Sequence, residues 1–273
     1  MSNDEHRVFA WQPLTPRGVA AFAGARLGRL LLVQLIVALI AAGAMTWTLY
    51  TGWFRVIAGA IDRLPPQGEI RGGVLIWSGD SPLTLAENRF LALTIDLKHE
   101  GQARSPAHVQ VEFGRYSAKI FSLFGYVEAK YPRQWAMAFN RPDLGPWWGA
   151  WSPALLAIFF GAVVAGLFVT WACLAGVYCW AAWLCGFFAD RELTVKQSWR
   201  LCGAALLPGA LVMTAGFILY GLGVIDPVRL LVVAALHLVV GWGFVLVSPF
   251  YQPRQASSVR PSPEIFQRPK QPS

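Results

Sequence analysis

Charge is scarce in this chain. Asp, Glu, Lys and Arg make up 14% of its 273 residues, against about a quarter in an ordinary soluble domain, so a fully water-facing surface is excluded. Cysteine is sparse as well. Cys173, Cys179, Cys185 and Cys202 all lie within or beside apolar segments. None falls between Gly52 and Trp151, which excludes a disulfide-stapled polar domain. No CxxC pair exists, and the six-residue steps from Cys173 to Cys185 put the three on no common helical face. They read as small buried hydrophobes rather than metal or redox groups.

Recognisable chemistry is missing too. Ser78, Ser81, Ser105, Ser117 and Ser122 lie in no G-x-S-x-G and no Ser-x-x-Lys. Gly72, Gly73 and Gly79 read as turns, with no phosphate-cradling loop. His99, Glu100 and His108 carry metal-ligand chemistry, but no motif supplies a further ligand, and they read as a polar loop. The expectation is a chain with no catalytic residue, cofactor or metal, and not an enzyme.

What is present is apolar length: 55% hydrophobic residues and 13 tryptophans. From Pro153 to Phe188 no charge interrupts about 36 residues, where about 20 cross a bilayer. Leu30–Tyr50 is a second run with Gln34 as its one strongly polar member. Leu201–Leu222 and Val228–Val247 are two more. The apolar run around Ala42-Gly43-Ala44 is too long, and its lead-in too extended, for a signal peptide, so it reads as a retained span. Splitting Pro153–Phe188 into two spans would put the basic loop after it outside, so it reads as one.

The expected fold is therefore a membrane α-helical bundle of four transmembrane helices, with a small β-rich extracytoplasmic domain between helices 1 and 2. Residues 1–29 form a basic cytoplasmic lead-in, 30–50 helix 1, 51–150 the outer domain and 152–188 a long helix 2. A basic cytoplasmic loop at 189–200 precedes helix 3 at 201–222, helix 4 at 228–248 and a disordered cytoplasmic tail at 249–273. Thr194 and Gln197 fit a capping box that starts a helix near Val195. Pro208 should kink the helix that follows.

Within 51–150, Leu91-Leu93-Ile95-Leu97 alternate with Ala92-Thr94-Asp96-Lys98, and Val109-Val111-Phe113 with His108-Gln110-Glu112. These predict two strands, each with one apolar face. The short link between them predicts an antiparallel pair. Further strands are expected at Gly73–Trp77 and Lys119–Glu128. So small a core, without disulfides, must lean on another element. The segment Tyr131–Pro146 reads as an exit loop, with Trp135, Trp147, Trp148 and Trp151 at the membrane surface.

Orientation follows from charge. Residues 1–29, 189–200 and 249–273 carry four, three and four Lys or Arg, whereas the loop near Asp226 has only Arg229. The positive-inside rule puts both termini in the cytoplasm. The outer region has 11 basic and nine acidic residues, a near balance that counts little for topology. The net charge of +8 is thus a topology signal that excludes nucleic acid as partner and leaves an attraction to anionic lipid.

Inside the spans the functional candidates are His237 and the rim pair Asp226 and Arg229, because ionisable groups in hydrocarbon are costly. His237 can stay neutral and bond a neighbouring carbonyl, while Asp226 before Pro227 suits a helix cap. Ala157, Gly161 and Ala165, with Gly209 and Gly216, are small residues suited to close helix packing.

The stretch Leu64-Pro65-Pro66-Gln67-Gly68-Glu69-Ile70-Arg71-Gly72-Gly73-Val74-Leu75, followed by Thr94-Ile95-Asp96, resembles an uncharacterised family of bacterial multi-pass inner-membrane proteins. In that family a β-rich extracytoplasmic insert follows the first helix. The later helices loosely resemble the Yip-type bundle, in which a basic inner loop similar to Val195–Arg200 precedes a span. The resemblance implies a bacterial inner-membrane location and no established activity. The expected role is an integral membrane protein whose outer domain binds a partner or a lipid-like ligand, with membrane lipids around it. The outer domain and the cytoplasmic loop are the surfaces for a protein partner. The alternative is a transport or lipid-handling component, which polar residues facing a bundle cavity would favour.

Overall fold

The computed structural model describes residues 11–254. Both flanking stretches, including most of the expected tail, lie outside the described residues. After a short helix α1 (Pro16–Ala21), helix α2 runs from Leu27 to Leu49. Its apolar residues end there but the helix does not. One π-helical turn, Tyr50–Phe54, carries it into α3 (Arg55–Asp62). The first residues of the region expected to be β-rich, 51–62, are therefore helical. Loss of hydrophobicity marks the end of a span, while a helix stops where its backbone is interrupted, and the Leu64-Pro65-Pro66 block supplies that stop. Gly52 lets the ring of Phe90 approach the π turn, where a Cβ would stand 3.3 Å from it.

Eight strands follow: β1 (Gly68–Arg71), β2 (Val74–Trp77), β3 (Leu83–Glu87), β4 (Leu91–Ile95), β5 (Val109–Phe113), β6 (Ser117–Ser122), β7 (Gly125–Lys130) and β8 (Ala136–Ala138). They form sheets ordered β2-β1-β8 and β3-β4-β5-β6-β7. The expected strand at Lys119–Glu128 is a hairpin, β6–β7, turning at Leu123-Phe124. The alternating strands β4 and β5 are parallel, with Leu91 opposite Val109 and Ile95 opposite Phe113, which corrects the antiparallel expectation. Because β4 ends at Ile95 rather than Leu97, the connection spans residues 96–108, long enough for a crossover.

That crossover is held by buried polar side chains. Asp96 accepts from Gly101 N at 2.9 Å. Gln110 donates to Ala103 O at 2.7 Å and to Thr94 Oγ1 at 3.1 Å, and accepts from Ser105 N at 3.0 Å. Thr94, Gln110 and Glu112 are thereby buried, although alternation alone would put them in water. The apolar face carries Leu91, Ile95 and Leu85, which close a core with Val56, Ala60 and Ile61 of α3. This amphipathic extension of the first long helix is the support that the small domain lacks in itself.

Helix α4 spans Arg141–Phe188, so the stretch before Trp151 is helix rather than exit loop. Asn140 caps it, accepting from Asp143 N at 3.0 Å. Pro142 sits in the first turn, where a missing N–H costs nothing. Helices α5 (Val195–Gly221) and α6 (Pro227–Val247) complete, among the described residues, four helices long and apolar enough to cross a membrane. The Thr194–Gln197 capping box starts α5, and the helix runs unbroken through buried Pro208.

Helix α5 is the centre of the bundle. In its most apolar window 56% of residues are buried, against 6% in α4 and 11% in α6. Gln34 of α2 donates to Gly203 O of α5 at 3.2 Å. A Cβ on Gly209 would stand 2.5 Å from His237 O, and one on Gly216 would stand 2.7 Å from Val233 Cγ1, so these glycines set the close α5–α6 crossing. The α4 residues Ala157, Gly161 and Ala165 are exposed instead, and Gly161 has open space around it. Among the described residues, α4 packs against no other helix at that stripe.

Candidate functional site

Small residues from three helices, Ala41, Ala210 and Gly241, face one another in the bundle and leave a cavity of about 170 Å³. All four long helices line it. Its wall is apolar, with Met45, Trp171, Leu206 and Phe217, and its few polar groups are His237, Thr170, Thr214 and Tyr178. Thr214 is occupied, donating to Ala210 O at 2.8 Å. His237 is not: its Nδ1 is shielded and has no hydrogen-bond partner among the described residues. The bond to a neighbouring carbonyl that would make it purely structural is not formed. A buried polar atom without a partner costs on the order of 1–3 kcal/mol, and apolar cavities with few polar groups are the usual form of small-molecule sites.

Tyr178 of α4 and Trp242 of α6 meet edge to face, with centroids 5.3 Å apart. Thr170 on α4 and Leu238 on α6 are exposed cavity residues beside them, so the cavity opens between these two helices. His237 lies ten residues beyond Pro227, roughly 15 Å along the helix at 1.5 Å per residue.

The other two sequence candidates belong to the rim and do not join His237. Asp226 caps α6, accepting from Arg229 N at 2.8 Å, and its other oxygen stands 3.7 Å from Arg229 Nε. Both side chains are well exposed, and the pair organises a helix start.

Sequence reasoning missed a second polar assembly, in the β-rich domain. His99 Nδ1 is 2.5 Å from Glu112 Oε1, and its Nε2 is 3.3 Å from Ser117 Oγ. The Ser117 hydroxyl donates to Glu128 Oε1 at 2.7 Å, which holds the Glu128 carboxyl below its ordinary pKa, opposed by desolvation and helped by Lys119. His99 sits at φ 55°, a strained backbone for a residue with a Cβ, and Gly114 is where a side chain would collide with its ring. The order of serine, histidine and carboxylate matches that of a hydrolase triad. However, Ser117 is 3% exposed and directs its proton to Glu128, away from the imidazole. The assembly ties the crossover to β5, β6 and β7. Its signal, a histidine, a carboxylate and a serine on three separate segments, emerges only when the parallel pairing is known.

A third set joins domain to bundle. His108 Nδ1 lies 2.9 Å from the Tyr220 hydroxyl in the last turn of α5, and Phe90 packs on both rings. Arg89 donates to Gly223 O. Burial lowers the His108 pKa from its ordinary value, Arg89 adds to the effect, and Asp226 opposes it. His99, Glu100 and His108, read from sequence as a polar loop, thus serve three separate contacts. Glu100 pairs with Lys98 at 3.7 Å on the surface, and no group of three or more metal-ligating side chains occurs among the described residues.

No protein-family model, curated protein or solved structure matches the chain, so a functional reading rests on this geometry.

Proposed function

We propose that the chain is a non-catalytic, multi-pass protein of a bacterial inner membrane that binds a lipid-like ligand within its bundle. The observation that carries this reading is the cavity with an unpartnered His237 at its wall, about midway along α6. Its hydrocarbon wall suits an acyl or prenyl segment entering from the bilayer between α4 and α6. A cavity of about 150 Å³ accepts a benzene-sized group, so this one takes part of a chain or ring rather than a whole lipid. A hydroxyl, carbonyl or amide on the ligand would meet the imidazole. The cavity favours the lipid-handling alternative over a ligand held solely by the outer domain.

The termini face the cytoplasm in this reading, supported by Arg17, Arg26, Arg29, Arg191, Lys196 and Arg200, which gather on the segments opposite the β-rich domain. Trp151 and Trp180, 29 positions apart on α4, mark its two interfaces. An impermeant thiol reagent should label Ser78→Cys from outside intact cells and Lys196→Cys only after permeabilisation. The reverse pattern would overturn this orientation.

The ligand test uses native mass spectrometry of the full chain extracted from its membrane, followed by challenge with a photoreactive fatty alcohol. Wild type should retain an adduct in both formats, and Ala210→Trp, which fills the cavity, should lose it while keeping the same melting temperature or a higher one. Equal adduct yields in the two proteins would end the proposal.

A further inference from the structure

Among the exposed apolar residues of the β-rich domain, which include Ile76, Tyr116, Trp135 and Met137, a run lies along one hairpin: Ile120, Leu123, Phe124, Tyr126 and Val127. Phe124 is 85% exposed and Leu123 54%, an arrangement that has no place on a water-facing turn. The strand register says where this tip stands. Gln110 is opposite Phe121 in the antiparallel β5–β6 pair, so two residues further on, Leu123 is level with His108. His108 is bonded to Tyr220 at the outer end of α5. The tip therefore reaches the plane where the long helices end. It is offset sideways from that contact by the spacing of one to two strands, about 5 to 10 Å.

A cleft of about 320 Å³ confirms the neighbourhood: Leu123, Phe121, Arg104 and His108 face Pro227 and Val228 of the first α6 turn across it. Arg104 lies over the Phe121 ring, 5.1 Å from its centroid, and makes no salt bridge among the described residues. No carboxylate lines the cleft, although Asp226, one residue before Pro227, lies close enough to act on His108 at its wall.

We infer that this cleft and hairpin form a phospholipid site at the outer membrane surface: Arg104 faces the headgroup phosphate, and Leu123 and Phe124 enter the acyl boundary beside α6. The apolar pair gains burial from the bilayer it overhangs, and a guanidinium on an aromatic ring at headgroup level presents its N–H fork to phosphate oxygens. This site is separate from the bundle cavity and rests only on the four-span placement of the chain.

The test places a benzophenone amino acid at Phe124, at Tyr116 beyond the far end of β6, and at Val232 on the exposed face of α6, one position at a time. The full chain is reconstituted in phosphatidylglycerol vesicles. Lipid adducts at Phe124 and Val232 but not at Tyr116 are expected. A Val232 adduct without one at Phe124, or a protein adduct at Phe124, overturns the hairpin site and leaves the spanning helices standing. Loss of adducts at both positions overturns the membrane placement itself.

In a second arm, short-chain phosphatidylglycerol and inorganic phosphate are titrated separately into the solubilised protein. Arg104→Gln should weaken the lipid about fivefold, the effect of roughly one basic residue near an anionic surface, with inorganic phosphate far weaker in both proteins. Equal lipid affinity in the two proteins removes Arg104 from the site. Phosphate binding as tight as the lipid's would make it a free-anion site.

Discussion

His99 and His237 are both largely enclosed, and their surroundings are opposite. His99 is held by Glu112 and Ser117 with no room beside it, since even a methyl group on Gly114 would collide with its ring. His237 stands at a cavity with Nδ1 unpartnered. The difference teaches how to weigh a buried histidine. A histidine with both ring nitrogens bonded within the protein holds structure together, while one with an unpartnered nitrogen at a cavity wall has capacity left for a group from outside.

The largest expected effect comes from breaking the bonded side, where Glu112 Oε1 holds His99. Glu112→Ala should destabilise the outer domain by about 3–5 kcal/mol, as removing one partner of a buried pair does, read as a lower melting temperature and early proteolysis between β4 and β5. Gly209→Val should cost about 1–3 kcal/mol by overpacking the α5–α6 crossing, seen as reduced thermal stability in detergent.

His237→Leu sharpens the contrast because its sign is reversed. Deleting an unsatisfied polar atom should leave stability unchanged or raise it by about 1–2 kcal/mol while adduct formation with the fatty alcohol falls. A destabilised His237→Leu protein would mean that the two histidines do the same work. Asp226→Ala should cost about 1 kcal/mol through the lost cap, visible as faster amide exchange in the first turn of α6.

The smallest effect is a pH dependence at the domain–bundle contact. The His108 pKa is lowered in the folded protein, so the unfolded chain binds its proton first. The contribution is complete above the unfolded value of about 6.5 and is lost as pH falls below it. A protonated ring also cannot accept from the Tyr220 hydroxyl. Proteolytic release of the β-rich domain should rise below about pH 6.5 in wild type, and His108→Asn should flatten that rise.

Much of this protein was legible one segment at a time. Long uncharged runs marked the four helices, and Thr194–Gln197 and Asp226–Pro227 marked helix starts, because a cap needs only neighbours in sequence. Alternation located β4 and β5. Their direction was not legible, since loop length alone suggested a hairpin and the anchor, Gln110, lies beyond the loop. The start of α4 was obscured because Pro142 and Pro146 look like breakers until Asn140 is seen capping the first turn.

The sequence by itself determined where apolar length requires helices and which residues begin them, for these follow from local backbone needs and from the cost of exposing hydrocarbon to water. Only the tertiary structure decided that His99 is satisfied and His237 is not, that Ala41, Ala210 and Gly241 leave a void, and that Leu123 stands beside Val228. Each of those facts depends on the distance between segments far apart in the chain, which is set by packing and strand register.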